Sequence, residues 1–172
     1  MANVILILGG ARSGKSTFAT QIAKKQCKKV AYIATMPVCD DEMKKRVRQH
    51  RRSRPGTWPT IEAPYSLLKG LSEVPKKCDG VLIECIGTYV SNLLISKYSD
   101  PDILKEIKAV LAKLRKSDKK VFIVSNEVGG GVVPDTELGR KFRDIVGKVN
   151  QIIAKSSDEV YLVVAGLSMK LK

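Results

Sequence analysis

The chain has 172 residues and a formal net charge of +14, from 31 Lys+Arg against 17 Asp+Glu. Hydrophobic residues make up 44% and charged residues 28%, an ordinary globular composition, and the length suits a single domain, residues 1–172. No apolar run is long enough to cross a bilayer and the first ten residues carry no basic leader. We therefore expect a cytoplasmic protein with no membrane span and no signal peptide.

Apolar, β-branched segments alternate with helical patterns, which is typical of an α/β protein with a mainly parallel sheet. Each predicted strand is almost continuously apolar, as expected when helices cover both faces of the sheet. In chain order the predicted elements are strand 4–8, helix 15–26, strand 30–34, helix 41–53, strand 81–85, helix 88–97, helix 102–116, strand 121–125, helix 138–155 and strand 160–164.

Two long stretches show neither the period of a helix nor the apolar pattern of a strand. Residues 54–64 carry three prolines, and residues 126–136 carry three consecutive glycines. In a compact domain, loops of this length usually belong to a site or are mobile. Both follow predicted elements at points where an α/β sheet places a ligand crevice, so we expect both to border the site.

Residues 9–16 read GGARSGKS and fit the phosphate-loop pattern G-x-x-x-x-G-K-[ST]. Glycines let the backbone wrap tightly enough to aim successive N–H groups at a phosphate, and the following helix adds its positive end. Lys15 then reaches the outer phosphates and the Ser16 hydroxyl ligates Mg²⁺. An apolar strand before the motif and a helical run after it favour this interpretation over a chance glycine-rich turn.

A phosphate loop needs an acidic partner for Mg²⁺, and Glu84 ends the third apolar run. A carboxylate at the end of a buried strand costs free energy unless a cation or hydrogen-bond donors meet it. We expect Glu84 to contact the metal or the nucleotide base; the alternative is a glutamate that simply begins a loop.

Residues 40–55 are acidic at the start and basic at the end, which matches the dipole of a helix. His50 shares a predicted face with two apolar side chains, and Arg46, Arg51 and Arg54 lie close to it in sequence. Neighbouring cations disfavour protonation of an imidazole, although a helix C-terminus favours it. A neutral ring would be a nucleophile, but from this segment alone an incidental surface histidine is the commoner case.

The numbers of cysteines and histidines limit which residues could bind a metal or act as a nucleophile. His50 is the sole histidine, so any argument that needs an imidazole rests on it. The cysteines show no metal-ligand spacing and are too few for a disulfide framework, so we expect reduced, mostly buried thiols. They are Cys27, Cys39, Cys78 and Cys85.

Six segments of the chain resemble, in order, those of bifunctional adenosylcobinamide kinase/adenosylcobinamide-phosphate guanylyltransferases. The resemblance runs from Asn3 to the C-terminus and is specific, because a phosphate loop alone would fit many families. The segments are GGARSGKS, YIATMPVCDDEMKKRVRQHRRSRPGTW, LIECIGTYVSNLL, VSNEVGGGVVP, FRDIVGKVNQ and VAGLSMKLK.

The resemblance implies a phosphate-loop nucleotide-hydrolase (RecA-like) fold and a homotrimer. It implies phosphorylation of adenosylcobinamide, then transfer of GMP from GTP to that phosphate, with ATP or GTP and Mg²⁺ required and no nucleic acid involved. His50 is implied to carry GMP covalently. We therefore expect His50 to be catalytic, together with Lys15 at the phosphates, and we expect Ser16 and Glu84 to bind the metal.

The same resemblance implies a set of nucleotide contacts, which are Gly9, Gly10, Ala11, Arg12, Ser13, Gly14, Lys15, Ser16, Thr17, Ala34, Thr35, Met36, Arg51, Arg52, Ser53, Arg54, Glu62 and Glu84. Two positions depart from the family pattern. Gly130 stands where methionine is commoner, and Glu84 stands where some members carry aspartate.

Two other functions fit parts of the sequence. One is a phosphate-loop kinase with a single activity toward another small alcohol, which would need no covalent histidine. The other is a nucleotide-regulated protein that binds nucleic acid through the RRSRP segment, which predicts strongly salt-dependent binding.

Overall fold

The computed structural model describes residues 2–37 and 54–172. In these ranges the strands are β1 (Val4–Gly9), β2 (Val30–Ala34), β3 (Thr60–Glu62), β4 (Gly80–Glu84), β5 (Lys120–Asn126), β6 (Glu159–Val164) and β7 (Leu167–Lys170). The helices are α1 (Lys15–Gln26), α2 (Leu67–Ser72), α3 (Ile86–Ile95), α4 (Asp100–Arg115) and α5 (Glu137–Ser156). None of these helices has the length and hydropathy that crossing a bilayer requires. The predicted helix 41–53 lies outside the described residues.

The strands of the described ranges form one sheet in the order β3-β2-β4-β5-β1-β6-β7. Neighbouring strands from β3 through to β6 run parallel, and β7 pairs antiparallel with β6. Parallel strands end at the same edge of a sheet, so the loops after β1, β2, β4 and β5 meet there. The predicted α/β class with a mainly parallel sheet is confirmed.

Two apolar clusters pack against the sheet. Leu6 of β1 belongs to the larger cluster with side chains of α3, α4 and α5, whereas Ile5 and Ile7 belong to the smaller one with Ala19 and Ala23 of α1. Successive side chains of a strand point to opposite faces, and these β1 side chains are fully buried on both. This two-sided burial is the reason that the strands are continuously apolar in sequence.

The predicted strands are all present, each within one residue at either end, and helix 15–26 agrees at both ends. The helix predicted over 88–97 begins earlier, at Ile86, because the Cys85 side chain caps it by accepting a hydrogen bond from the Thr88 N–H at 3.3 Å. Cysteine is not among the usual capping residues, so the sequence carried little signal for this start.

Three short elements were missed. Residues 54–64 were expected to be irregular, but residues 60–62 form β3 and pair with β2. The six-residue helix α2, capped by Ser66, and the terminal strand β7 were not predicted either. Segments of three to six residues are too short to establish a period, and their pairing partners lie far away in sequence.

Asp158 ties together three elements at the amino edge of the sheet. Its carboxylate accepts a hydrogen bond of 2.7 Å from the Val4 N–H, and Arg115 at the end of α4 donates to it at 2.8 Å. These two donors hold the pKa of Asp158 below its usual range. The carboxylate therefore stabilises the fold above pH about 4, and this contribution is lost as pH falls further and the group is protonated.

We predict that Asp158→Asn lowers the free energy of unfolding by about 1 kcal/mol at pH 7, because a charged acceptor is replaced by a neutral one. The difference from the wild type should shrink progressively as pH falls below about 4, because the wild-type carboxylate is then increasingly protonated. Urea unfolding at several pH values measures both effects. Asp118→Asn is the control, since that side chain is 95% exposed; an equal loss there would contradict the assignment.

Candidate functional site at the carboxyl edge of the sheet

The predicted phosphate loop joins β1 to α1. Gly14 caps α1 with a left-handed φ of 93°, a conformation that glycine adopts without strain, and Phe18 N–H donates to its carbonyl at 3.0 Å. The Lys15 ammonium folds back onto the loop and donates to the Gly10 carbonyl at 3.1 Å. The loop thus surrounds the positive end of α1 and places the lysine over it, which is an arrangement suited to a phosphate.

Close packing forces glycine at the start of the loop. A Cβ on Gly9 would collide with Ser13 Oγ and lie 2.7 Å from the carbonyl oxygen of Val163 in β6. Gly166, in the turn between β6 and β7, also donates through its N–H to the Ser13 carbonyl at 2.9 Å. The loop therefore rests on the end of β6, which the sequence motif did not indicate.

Glu84 meets the loop, as the sequence analysis expected. It ends β4, and its Oε1 accepts a short hydrogen bond from the Ser16 hydroxyl at the first turn of α1. The two predicted metal ligands are thus neighbours although they are 68 positions apart in sequence. Both offer hard oxygen atoms, the ligand type that Mg²⁺ prefers.

The donor set fits a hydrated Mg²⁺ completed by phosphate oxygens. In the described ranges no group of three or more His, Cys, Asp or Glu side chains could hold a metal. Mg²⁺ usually takes only one or two protein oxygens and binds the rest of its shell from water and substrate phosphates. Ser16 and Glu84 match that pattern, whereas a closed protein cage is absent from the part of the chain described here.

Tyr32 is a site residue that the sequence analysis missed. Its hydroxyl donates to Glu84 Oε2 at 3.1 Å, and burial, reinforced by the charge of Glu84, raises the pKa of Tyr32 far above its usual value. The phenol therefore stays protonated and remains a donor. The available signal was the phenol hydroxyl of Tyr32 inside an otherwise apolar strand. This signal is weak, because most buried tyrosines find some hydrogen-bond partner.

Arg54 packs on the same tyrosine. Its guanidinium carbon lies 3.5 Å from the centre of the Tyr32 ring, and a guanidinium N–H donates to Thr60 Oγ1 at 3.0 Å. The residue is 8% exposed. Arg54, predicted as a nucleotide contact, is thus held at the edge of the site by β2 and β3, and a planar cation over an aromatic face is a stabilising pair.

A second hydrogen-bonded unit fixes the turn after β2. The Thr35 hydroxyl accepts from the Cys85 N–H at 2.7 Å and donates to the Cys85 carbonyl at 2.8 Å, and the Asn92 amide donates to the Thr35 carbonyl at 2.8 Å. Burial raises the pKa of the Cys85 thiol, so it is not a ready nucleophile. Cys27, Cys78 and Cys85 are free thiols, as expected, and Cys39 lies outside the described residues.

The glycine-rich loop after β5 begins beside the phosphate loop. Glu127 N–H donates to the Gly9 carbonyl at 3.0 Å, and the Glu127 carboxylate accepts from the N–H groups of Gly129 and Gly130. Further along, Val132 is 94% exposed. Glu127 thus turns this loop, and its three consecutive glycines give it little side-chain bulk.

The structure brings most of the predicted residues to one edge. Ala34 of β2 is in register with both Glu62 and Glu84, so these three residues form a row beside the loop. Thr17 and Glu62 are exposed, and Met36 is half-buried. The other predicted contacts and the predicted nucleophile lie outside the described residues; they are His50, Arg51, Arg52 and Ser53.

The sequence of this chain matches a known protein family. The model of the family described as cobinamide kinase / cobinamide phosphate guanyltransferase matches residues 5–171. The chain belongs to this family. The match covers both the phosphate loop and the row of residues beside it.

Three curated relatives align with this chain over nearly their whole length. The chain is 40% identical to the bifunctional adenosylcobalamin biosynthesis protein CobU of Escherichia coli, covering 98% of this chain and 99% of the relative. It is 41% identical to CobU of Salmonella typhimurium over the same shares. It is also 41% identical to the bifunctional protein CobP of Pseudomonas aeruginosa, covering 97% of this chain and 96% of that one. This member of the cobinamide kinase family is therefore a bifunctional enzyme.

Solved structures support the fold alone. An ATPase of a bacterial type III secretion system superimposes with a TM-score of 0.60 at 13% identity, covering 98% of this chain and 56% of that one. A KaiC-like protein from Pyrococcus horikoshii gives 0.51 at 10% identity, with 93% and 70% covered. The predicted RecA-like class is confirmed.

We predict that Gly9→Ala lowers the free energy of unfolding by about 1–3 kcal/mol, because the added methyl group overpacks the loop against β6. The matched control is Gly10→Ala, where a Cβ would meet nothing within 4 Å; we expect a change within about 0.5 kcal/mol. Urea unfolding without nucleotide measures both, and equal effects of the two variants would argue against the packing constraint.

Proposed function

We propose that this enzyme phosphorylates the hydroxyl of adenosylcobinamide and then transfers GMP from GTP to that phosphate, with release of pyrophosphate. The product is adenosylcobinamide-GDP, and the proposed second step passes through a guanylylated His50. The observation that carries the proposal is the contact between Ser16 and Glu84 at the phosphate loop, in a chain that the family model matches over residues 5–171.

The phosphate loop supports triphosphate binding. Its backbone N–H groups and the positive end of α1 attract phosphate oxygens. When nucleotide binds, the Lys15 ammonium would leave the Gly10 carbonyl and contact an outer phosphate instead. Ser16 and Glu84 would hold Mg²⁺, which neutralises charge on the phosphates when bound. Positioning and charge neutralisation are most of what phosphoryl transfer requires, so both proposed steps can use this one loop.

Arg54 supports a role for the preceding histidine. Its guanidinium is fixed on Tyr32, and Tyr32 contacts Glu84. In the sequence His50 stands four residues before Arg54, a separation that even a fully extended chain spans in at most about 14 Å. This short sequence separation supports the proposal that His50 acts at the same site as Arg54.

The covalent route divides one displacement into two. In the first, an imidazole nitrogen of His50 attacks the α-phosphorus of GTP, the bond to the β-phosphate oxygen breaks, and pyrophosphate leaves. In the second, a phosphate oxygen of adenosylcobinamide phosphate attacks the same phosphorus and the P–N bond breaks. Arginines of the 51–54 segment would stabilise negative charge on the moving group.

The row Ala34, Glu62 and Glu84 supports a nucleoside site beside the loop. Acidic side chains at the ends of β3 and β4 can accept hydrogen bonds from ribose hydroxyls or from guanine N–H groups. Glu84 already faces Ser16, which favours the metal for its role. The exposed carboxylate of Glu62 is then the better candidate for the nucleoside.

The remaining features follow the family resemblance. We propose that ATP or GTP serves the kinase step, that one cytoplasmic domain spanning residues 1–172 carries both activities, and that three copies assemble. Exposed apolar side chains on the edge strand β7 and directly after it are compatible with assembly; they are Leu167, Met169 and Leu171.

We predict that incubation with α-labelled GTP and Mg²⁺ leaves label on the protein that is acid-labile and alkali-stable, as a phosphoramidate is. His50→Ala should abolish the label because the attacking nitrogen is gone. Gel autoradiography after acid or alkali treatment measures this. γ-Labelled GTP is the control and should leave no label, and undiminished labelling of His50→Ala would defeat the covalent route.

We predict that His50→Ala retains phosphorylation of adenosylcobinamide and loses guanylyl transfer, because only the second step needs the nucleophile. Lys15→Ala should reduce both activities by about 100-fold or more, since both steps depend on charge neutralisation at the phosphates. Separate assays of the two products measure this split. Loss of the kinase step in a folded His50→Ala protein would contradict the proposed division.

A further inference from the structure

We propose that Tyr32 is a positioning residue for the metal ligand Glu84, holding one carboxylate oxygen so that the other faces Ser16 and the triphosphate site. The inference rests on the proposed function, which makes Ser16 and Glu84 the metal ligands. It adds a residue that no phosphate-loop motif contains.

The two oxygens of Glu84 have different partners. Oε1 accepts from the Ser16 hydroxyl, and Oε2 accepts from the Tyr32 hydroxyl at 3.1 Å. A carboxylate on a flexible side chain can otherwise rotate about its terminal bonds. Because Tyr32 engages Oε2 from within β2, Oε1 stays directed at the first turn of α1.

The tyrosine itself is rigidly placed. Its ring is 5% exposed and belongs to the same buried cluster as Trp58 and Leu82. The Arg54 guanidinium carbon lies 3.5 Å from the ring centre, and a planar cation over an aromatic face is a stabilising contact. This stacking and the buried packing fix the direction of the phenol hydroxyl toward Glu84 Oε2.

Carboxylates that bind metals are themselves usually held by a hydrogen bond, and loss of such a partner typically costs about 10–100-fold in metal affinity or activity. Tyr32 occupies that position relative to Glu84. Tyr32 also supports Arg54, one of the arginines proposed to stabilise the moving guanylyl group, so one side chain orients groups for both reactions. Tyr32→Phe should therefore slow both reactions by similar factors, unlike His50→Ala, which should affect one.

The chain contains a matched control for the same chemistry. Tyr161 on β6 donates to Glu159 Oε2 at 2.6 Å, and the Lys170 ammonium lies 5.9 Å from its ring centre. This trio of tyrosine, glutamate and cation lies outside the phosphate loop, with Glu159 at the amino end of β6. Tyr161→Phe thus removes an equivalent hydrogen bond without touching the proposed metal ligands.

The decisive experiment measures nucleotide binding without turnover. A fluorescent GTP analogue with a methylene bridge between the α- and β-phosphorus is titrated into the full chain, once in EDTA and once in saturating Mg²⁺. The ratio of the two dissociation constants is the factor by which Mg²⁺ tightens nucleotide binding. Wild type, Tyr32→Phe and Tyr161→Phe are compared, and thermal unfolding checks that each is folded.

We predict that Tyr32→Phe lowers this Mg²⁺ factor by about tenfold, because the metal ligand loses its orienting partner. The dissociation constant in EDTA should stay within about twofold of wild type, since phenylalanine retains the ring and its packing. Tyr161→Phe should match wild type in both conditions. A double-mutant cycle gives a second readout: in a Glu84→Gln background, Tyr32→Phe should produce no further loss.

Three results would overturn the inference in distinguishable ways. An unchanged Mg²⁺ factor in folded Tyr32→Phe would show that the hydroxyl does not orient the ligand. Weaker binding in EDTA would show that the hydroxyl contacts the nucleotide itself. Absence of nucleotide binding by the wild type in both conditions would overturn the proposed function, and this inference with it.

Discussion

The contact between the Ser16 hydroxyl and the Glu84 carboxylate is the interaction on which the rest of the site depends. It joins the first turn of α1 to the end of β4, and both segments reach this point because parallel strands end at one edge of the sheet. A carboxylate at the end of a buried strand is tolerable here since hydroxyl donors meet it, and under the proposed function its oxygens would serve Mg²⁺.

Aromatic and cationic side chains extend this contact away from the phosphate loop. Tyr32 connects Glu84 to Arg54, and Thr35 connects the end of β2 to the start of α3. Each link is a hydrogen bond or a stacking contact between segments at the carboxyl edge of the sheet. Such links hold the side chains of the site in fixed positions, and small displacements of reacting groups slow catalysis strongly.

Much of the fold could be predicted from the sequence. Continuous apolar runs such as Val4–Gly9 and the periodic patterns of the long helices are clear signals in the sequence, and the predicted phosphate loop and Glu84 do meet at the edge of the sheet. The short strand Thr60–Glu62 and helix Leu67–Ser72 were missed, since neither is long enough to show a period. Tyr32 was missed for another reason: a tyrosine in a buried strand is ordinary until its partner is known.

The sequence by itself determined the α/β class, the phosphate loop and the family, because these depend on local spacing and on residue types that can be read in order. Only the tertiary structure decided that Tyr32 and Ser16 share the two oxygens of Glu84, and that Gly9 must lack a side chain beside β6. The physical reason is that these contacts join segments distant in the chain, and their geometry is set by strand order and register, which no local pattern encodes.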